Sequence, residues 1–379
     1  MTDWHGNRSK ETYTYKRVKW SPGESGHLSE LEAYGQITSG SVELAAFTDA
    51  KASCRFSFEG ETPPDTTDLV RIYYSFEDDN GDSANVPIGT FFVSYGDVVY
   101  ISDGETIIER GTANGISTLS PMIDKKLGVP YTVSANTDCV AEANRIITQD
   151  FYLLTNYVNS PGTTTKTAHT FEPDDSWLTV VNWLLSVANY QSCYPDPYGN
   201  IMLDAYVDPE SRSVVATFKD DEQSIMLPEV ELANDWADTP NVARLYYQTD
   251  DECLWAKASL ESGSRASLNG RGGREVTMVE SVDELNGSTQ ANRIENLKNL
   301  AVQRLTDNAA EIEKVTLTHA FIDGVRPNDA VSVEYSGFDW RGNVTNMGIE
   351  LEPSTQCETQ LRHFVSNSLV FGMTGGSAW

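Results

Sequence analysis

Apolar and polar positions alternate along much of the first third of the chain. Residues 41–46 alternate, and 52–58 place Cys54, Phe56 and Phe58 on one face. A period of two marks a half-buried strand. Residues 69–76 are dense in β-branched and aromatic side chains, and further strands are predicted over 86–95, 97–102 and 105–112. Asn80-Gly81 and Asp103-Gly104 supply hairpin turns. Short strands at this spacing predict a small antiparallel barrel or sandwich.

The period then lengthens. Trp177, Val180, Val181, Leu184, Leu185 and Ala188 form a helical stripe that Ser176 can cap, with Asp174 and Asp175 complementing its dipole. Asp138 can cap another helix running to about Thr155, with Val140, Ala143, Ile147 and Phe151 on one side. Tyr194-Pro-Asp-Pro-Tyr-Gly-Asn200 is a turn, followed by a strand over 201–207, so 113–210 reads as α+β. A strand over 213–218 precedes an acidic turn, and 227–239 reads as a polar connection. Strands follow at 241–248 and around Trp255. Residues 261–274 form a Gly-, Ser- and Arg-rich segment, read either as a flexible loop or as a contact to an acidic partner. A clear helix covers 289–309, with Ile294, Leu297, Leu300, Ala301 and Leu305 on one face and Ser288 or Thr289 as cap. Strands at 312–321, 330–335, 343–352 and 359–363 complete the pattern.

Both termini read as less regular. Residues 1–28 form a polar arm punctuated by Trp4, Tyr13, Tyr15 and Trp20, either loosely ordered or docked on a neighbouring subunit. Residues 365–379 read as a tail ending in Trp379.

Composition narrows the function classes. A chain of 379 residues predicts two or three domains, and 10% aromatic residues supply core enough to exclude disorder for the bulk. The net charge of −29 repels phosphate backbones and anionic membranes, which argues against a sequence-reading DNA-binding protein. Five scattered cysteines (Cys54, Cys139, Cys193, Cys253, Cys357) show no zinc or disulfide spacing and read as reduced thiols. Residues 1–19 lack the apolar core of a signal peptide, and no apolar run approaches the ~18 residues that span a bilayer. Synthesis in a host cytoplasm, with no membrane insertion by this chain, is the expectation.

No catalytic signature is present. The five histidines form no HExxH pair, GxSxG is absent, and the glycines of 269–274 do not make a phosphate loop. A calcium loop ending the count at Gly81 would need ligands at Phe76 and Pro87, so it fails. A glycosidase-type pair could hide among so many carboxylates, but no motif marks one. His319 is the histidine expected to be buried. No enzymatic activity, catalytic residue, cofactor or metal site is expected.

The order of the motifs carries a resemblance. Ile88-Gly-Thr-Phe-Phe-Val-Ser94 leads to Gly115-Ile-Ser-Thr-Leu-Ser120, then to the helix 177–185 and Tyr194-Pro-Asp-Pro-Tyr-Gly-Asn200. Phe218-Lys-Asp220, Ser224-Ile225, Thr239-Pro-Asn-Val242 and, after the long helix, Val325-Arg-Pro-Asn-Asp-Ala-Val331 follow. Over roughly residues 30–365 this resembles the tail or baseplate hub proteins of tailed bacteriophages, including the N-terminal hub module of siphophage tail-associated lysins. The resemblance implies a β-rich α+β multidomain fold with two small antiparallel tail-tube-like barrels plus α+β decorations. The implied division is an arm at 1–28, a first barrel at 29–112 with return strands at 211–228, an α+β domain at 113–210, a second barrel at 229–364 carrying helix 289–309, and a tail at 365–379. Within it, 241–260 and 312–363 fit the second barrel.

The implied function is structural: a homotrimer at the distal end of the virion tail. It would close the tail tube, join it to the tube and distal tail protein, and adapt it to a spike or fibre protein. DNA would pass during ejection, without specific binding, through an acidic conduit. Asp78, Asp79, Asp82, Asp220, Asp221 and Glu222 could face that conduit or solvent. No lysin activity is carried over, because the chain stops about 15 residues after the hub-like region. The alternative is an acidic β-rich carbohydrate-binding or adhesion module.

Overall fold

The computed structural model describes residues 8–20, 29–60, 68–78, 83–102, 107–207, 211–221, 224–234, 236–249, 251–283, 285, 287, 289–309, 313–352, 356–363 and 369–377. Its first six strands are β1 (Arg8–Lys19), β2 (Ser29–Ala45), β3 (Ala52–Gly60), β4 (Asp68–Asp78), β5 (Ser83–Ser102) and β6 (Ile107–Ser117). They pair antiparallel in the cycle β1-β4-β5-β6-β3-β2 and back to β1, a closed barrel. The alternation read from the sequence fills it: Phe56, Phe58, Ile72, Tyr74 and Phe91 all point into the core. The segments 86–95 and 97–102, expected as two strands, are one strand with an irregularity between Tyr95 and Val98.

The arm differs from expectation. Residues 8–19 are the strand that closes the barrel, and Tyr13 and Tyr15 lie in this chain's own core rather than on a neighbour. The cause is the period-two pattern of Tyr13 and Tyr15 among polar residues, which suits a strand buried on one face. Trp4 lies outside the described residues; Trp20 packs edge-on against Phe92.

A second core belongs to α1 (Ser120–Asp124), β7 (Tyr131–Val133), α2 (Cys139–Arg145), β8 (His169–Phe171), α3 (Trp177–Val187), β9 (Tyr194–Pro195) and β10 (Ile201–Met202). Both expected caps are made: Asp138 accepts from Ala141 N (3.0 Å) and Ser176 from Thr179 N (3.1 Å). The helix begun at Asp138 is shorter than its stripe. It widens into a π-turn over Ile146–Asp150, and Tyr152 then turns left-handed at φ 55°. Ile147 and Phe151 are still buried, so the stripe located the core face but not the helix end.

Downstream lie β11 (Val214–Lys219), β12 (Met226–Asn234), β13 (Val242–Gln248), β14 (Cys253–Ser262), β15 (Thr277–Ser281), α4 (Gln290–Ala309), β16 (Glu313–Ala320), β17 (Ala330–Tyr335), β18 (Phe338–Glu350), β19 (Gln356–His363) and β20 (Val370–Ser377). A second sheet runs β11-β17-β18-β19-β16-β12, and β18 also pairs with the end of β2 through Leu44↔Met347 and Ile349↔Val42. That pairing splices barrel and sheet into one twelve-stranded surface with a common core, where Tyr74 meets Phe321 at 5.0 Å. Gly40 sits at the splice. Its φ of 151° and the 2.3 Å that would separate a Cβ from the Arg55 carbonyl exclude any side chain there.

The remaining strands depart from the expected grouping. β13 and β14 do not join β16–β19; they form a separate four-stranded sheet, β15-β13-β14-β20, covered by α4. The alternation of Ala243, Leu245 and Tyr247 against Val242, Arg244 and Tyr246 could not say which helix or sheet would cover the apolar face. Residues 370–377 of the expected tail are β20, whose Gly375 lets α4 approach: a Cβ would lie 3.2 Å from Ile294. Residues 227–234 of the expected polar connection lie in the edge strand β12. Its Pro228 is a residue that edges tolerate.

Candidate interaction surfaces

Three sequence motifs converge on one cleft. Ile88 to Thr90 of β5, Tyr194 to Pro197, and Arg326 to Asp329 line a space of about 230 Å³ beside Lys51. The proline turn is locked by Asp196, whose carboxylate accepts from the Asn200 backbone N–H (2.8 Å) and side-chain amide (2.9 Å), while Gly199 takes φ 87°. The carbonyls of Pro197 and Tyr198 then accept from Thr90 Oγ1 (2.9 Å) and Arg71 Nη2 (2.8 Å). Arg71, only 4% exposed, also donates to Thr90 Oγ1 and to Glu30. It is the strut between barrel and α+β unit, and nothing in its strand pattern distinguished it from a surface arginine.

The titratable groups here serve the joint. Lys51, at φ 58°, donates to the Ala46 carbonyl (2.5 Å) and Ser192 Oγ (3.0 Å), and burial lowers its pKa. Burial pushes the Cys193 thiol up to about 12, which leaves it protonated and unreactive at neutral pH. Burial and the adjoining Asp204 raise the Tyr194 phenol. Among the described residues no group of three His, Cys, Asp or Glu is placed to hold a metal ion. His319 is buried as expected, between the Ala320 carbonyl and Thr359 Oγ1, both 2.8 Å away.

A second surface is the outer face of the splice. Glu43 of β2 and Glu358 of β19 flank Gly348 of β18 from either side. The Glu43 carboxylate lies over that glycine, 3.3 Å from where a Cβ would sit. Burial, then the neighbouring Glu358, raises the Glu43 pKa. Asn346 and Glu350 extend this polar, acidic strip along β18. Sequence reasoning placed candidate conduit acids on loop tips instead. Of those, Asp79, Asp82 and Glu222 lie outside the described residues and Asp78 ends β4. Asp220 and Asp221 are exposed, Asp220 accepting from Ser336 N (2.6 Å).

Two further patches are exposed. The outer end of the β5–β6 ribbon presents Tyr100 (66% exposed) and Ile107 (68%) on one face and Val99 on the other. The arginine-rich segment 261–274 is a compact loop rather than a loose one. Buried Asn241 donates to the Ala266 and Arg274 carbonyls (2.9 Å each) and accepts from Val276 N (2.8 Å). Arg271 lies over the Trp236 ring at 5.7 Å, and its three guanidinium nitrogens are buried without a hydrogen-bond partner among the described residues. Burial, then Arg274, lowers its pKa.

A closed barrel spliced by one strand into an open sheet, with a helical unit and a helix-covered small sheet attached, defines a class of fold. Solved structures share it over nearly the whole chain. A tail protein from Neisseria meningitidis MC58 aligns with TM-score 0.60 and 14% identity, over 93% of this chain and 96% of that one. The 43 kDa tail protein of prophage MuSo2 from Shewanella oneidensis aligns with TM-score 0.61 and 10% identity, over 92% and 98%. A chain of the Francisella PdpA–VgrG complex aligns with TM-score 0.54 and 8% identity, over 96% of this chain and 60% of that one. At these identities the likeness is one of fold. No family model matches the chain, and no curated protein does.

Proposed function

We propose that this chain is a structural hub of a phage tail. Three copies close the distal end of the tail tube and join it to the tube and distal tail protein on one side and to a spike or fibre protein on the other. The observation that carries the reading is the fold shared, over more than nine tenths of the chain, with two tail proteins. The acidic strip gives it a physical rationale. Glu43, Glu350 and Glu358 lie on one continuous sheet face, and carboxylates along a conduit repel a passing phosphate backbone and offer it no site at which to stick. The cleft fits the same role, because its polar groups brace one unit against another.

Light scattering of the purified chain across a concentration series tests the assembly. A mass near three times 41.9 kDa, favoured by raising salt to screen the −29 charge, is expected. A monomer at every concentration and salt overturns the trimer.

A further inference from the structure

The small sheet β15-β13-β14-β20 has two faces, and α4 covers one of them through Ala243, Leu245, Leu254 and Ala256. The side chains between these point the other way, onto a face open to solvent. There Tyr246 (40% exposed) and Trp255 (41%) stand directly opposite each other on β13 and β14, with Val279 of β15 on the flank. The Trp255 indole lies beside Gly376 of β20: a Cβ on that glycine would sit 3.5 Å from Nε1 and 3.6 Å from Cε2 and Cζ2. The bare glycine leaves the ring its room. Neither the indole N–H nor the Tyr246 hydroxyl makes a hydrogen bond among the described residues. Around the rings, Lys257 (2.9 Å) and Arg244 (3.9 Å) converge on Glu275, and Ser259 donates to Glu261 (2.6 Å). Two cations against two carboxylates leave this face neutral in a chain of net charge −29.

We propose that this face binds a neutral, β-linked polysaccharide through Trp255 and Tyr246. A pyranose has a flat face of carbon–hydrogen bonds, which packs on the negative face of an aromatic ring, and a rim of hydroxyls that seek hydrogen bonds. The platform supplies both. Its rings are apolar bodies with unused polar tips, and beside them stand the Arg244 donors and the Glu275 acceptors. Rings on neighbouring strands offer the next sugar along the chain a place of its own. An open sheet face has no groove, so it suits an extended, β-linked ribbon better than a coiled, α-linked chain. Charge selects among occupants. An uncharged sugar is indifferent to the field of the molecule, whereas a nucleic acid is repelled by it and finds both local cations already engaged by Glu275. The inference stands on this face alone and holds for a monomer as for a trimer.

Isothermal titration of the full-length chain with cellotetraose and with chitotetraose tests this, with thermal melting as a second readout. Both sugars are expected to bind and, by mass action, to raise the melting temperature. Trp255→Ala and Tyr246→Ala are each expected to weaken binding about tenfold, and the α-linked maltotetraose to bind the wild type more weakly by about as much. Tyr100→Ala, at an exposed tyrosine on the β5–β6 ribbon, is expected to leave binding unchanged. Circular dichroism confirms that each variant is folded, and Tyr246→Ala carries the test if the loss of Trp255 disturbs the strand at Gly376. Failure of both β-linked sugars to bind at millimolar concentration, or binding that neither aromatic variant weakens, overturns the proposal and leaves the hub reading standing. Self-association that Trp255→Ala abolishes, with no sugar bound, assigns the face to a second copy and overturns the proposal. Binding of oligothymidine in place of sugar, lost in Tyr246→Ala, overturns it in favour of nucleic acid.

Discussion

Single residues decide the splice and its charge. Gly40 occupies a backbone conformation closed to side chains and lies against the Arg55 carbonyl, so Gly40→Ala forces both strain and a clash. A loss of roughly 2–3 kcal/mol is expected in denaturant unfolding. Glu43 illustrates the opposite sign. Its pKa is raised in the fold, by burial and then by Glu358, so the folded state binds its proton more tightly than the unfolded chain does. Stability from this residue therefore rises as pH falls through that raised value, and is lost again on returning to neutrality. Glu43→Gln removes the dependence. At pH 7 the variant is expected to be more stable by a few tenths of a kcal/mol, because the group is only partly buried and solvent screens the repulsion. Melting curves from pH 4 to 7 that run parallel for the two proteins would count against this account.

At the scale of elements, local rules and tertiary context divide the work. The cap of α3 is a local feature, and Ser176→Ala is expected to cost about 1 kcal/mol in thermal or chemical unfolding. Such features were legible: the Ser176 and Asp138 caps, the helix near 289–309 and the strands of the barrel all carry their own periodicity. What the sequence hid was partnership. The alternation of Tyr13 and Tyr15 is too short to separate a closing strand from a docking arm. Residues 227–233 of the edge strand β12 are largely exposed on both faces, so no alternation survives to mark it. β20 contains three glycines, yet it is a strand because it pairs with β14 and its Gly375 leaves room for α4. The candidate surfaces follow the same division. The motifs of the cleft were visible as separate turns, whereas Arg71, Asn241 and the Glu43–Glu358 proximity arise only when distant strands meet.

At the scale of the whole molecule, Arg71 is one of the side chains that tie the units together. Arg71 joins β4 to the proline turn through Thr90 and the Tyr198 carbonyl, while Glu30 balances its charge. Arg71→Met keeps the length of the side chain and removes every donor. It is expected to cost about 3 kcal/mol and to expose the 194–200 turn to proteolysis before the barrel unfolds. Simultaneous loss of both units in limited proteolysis would show that the strut is not what separates them. The splice of β2 to β18 has a consequence of its own, and it concerns time. On the ribosome β2 emerges roughly 300 residues before its partner, a delay of about 15–60 s at ordinary elongation rates. Throughout that interval one edge of a nascent barrel is bare. The polar side chains that face outward there, Ser41 and Glu43, are the kind that discourage a waiting edge from recruiting the wrong strand, so the same carboxylate that repels its neighbour in the finished sheet guards the unfinished one.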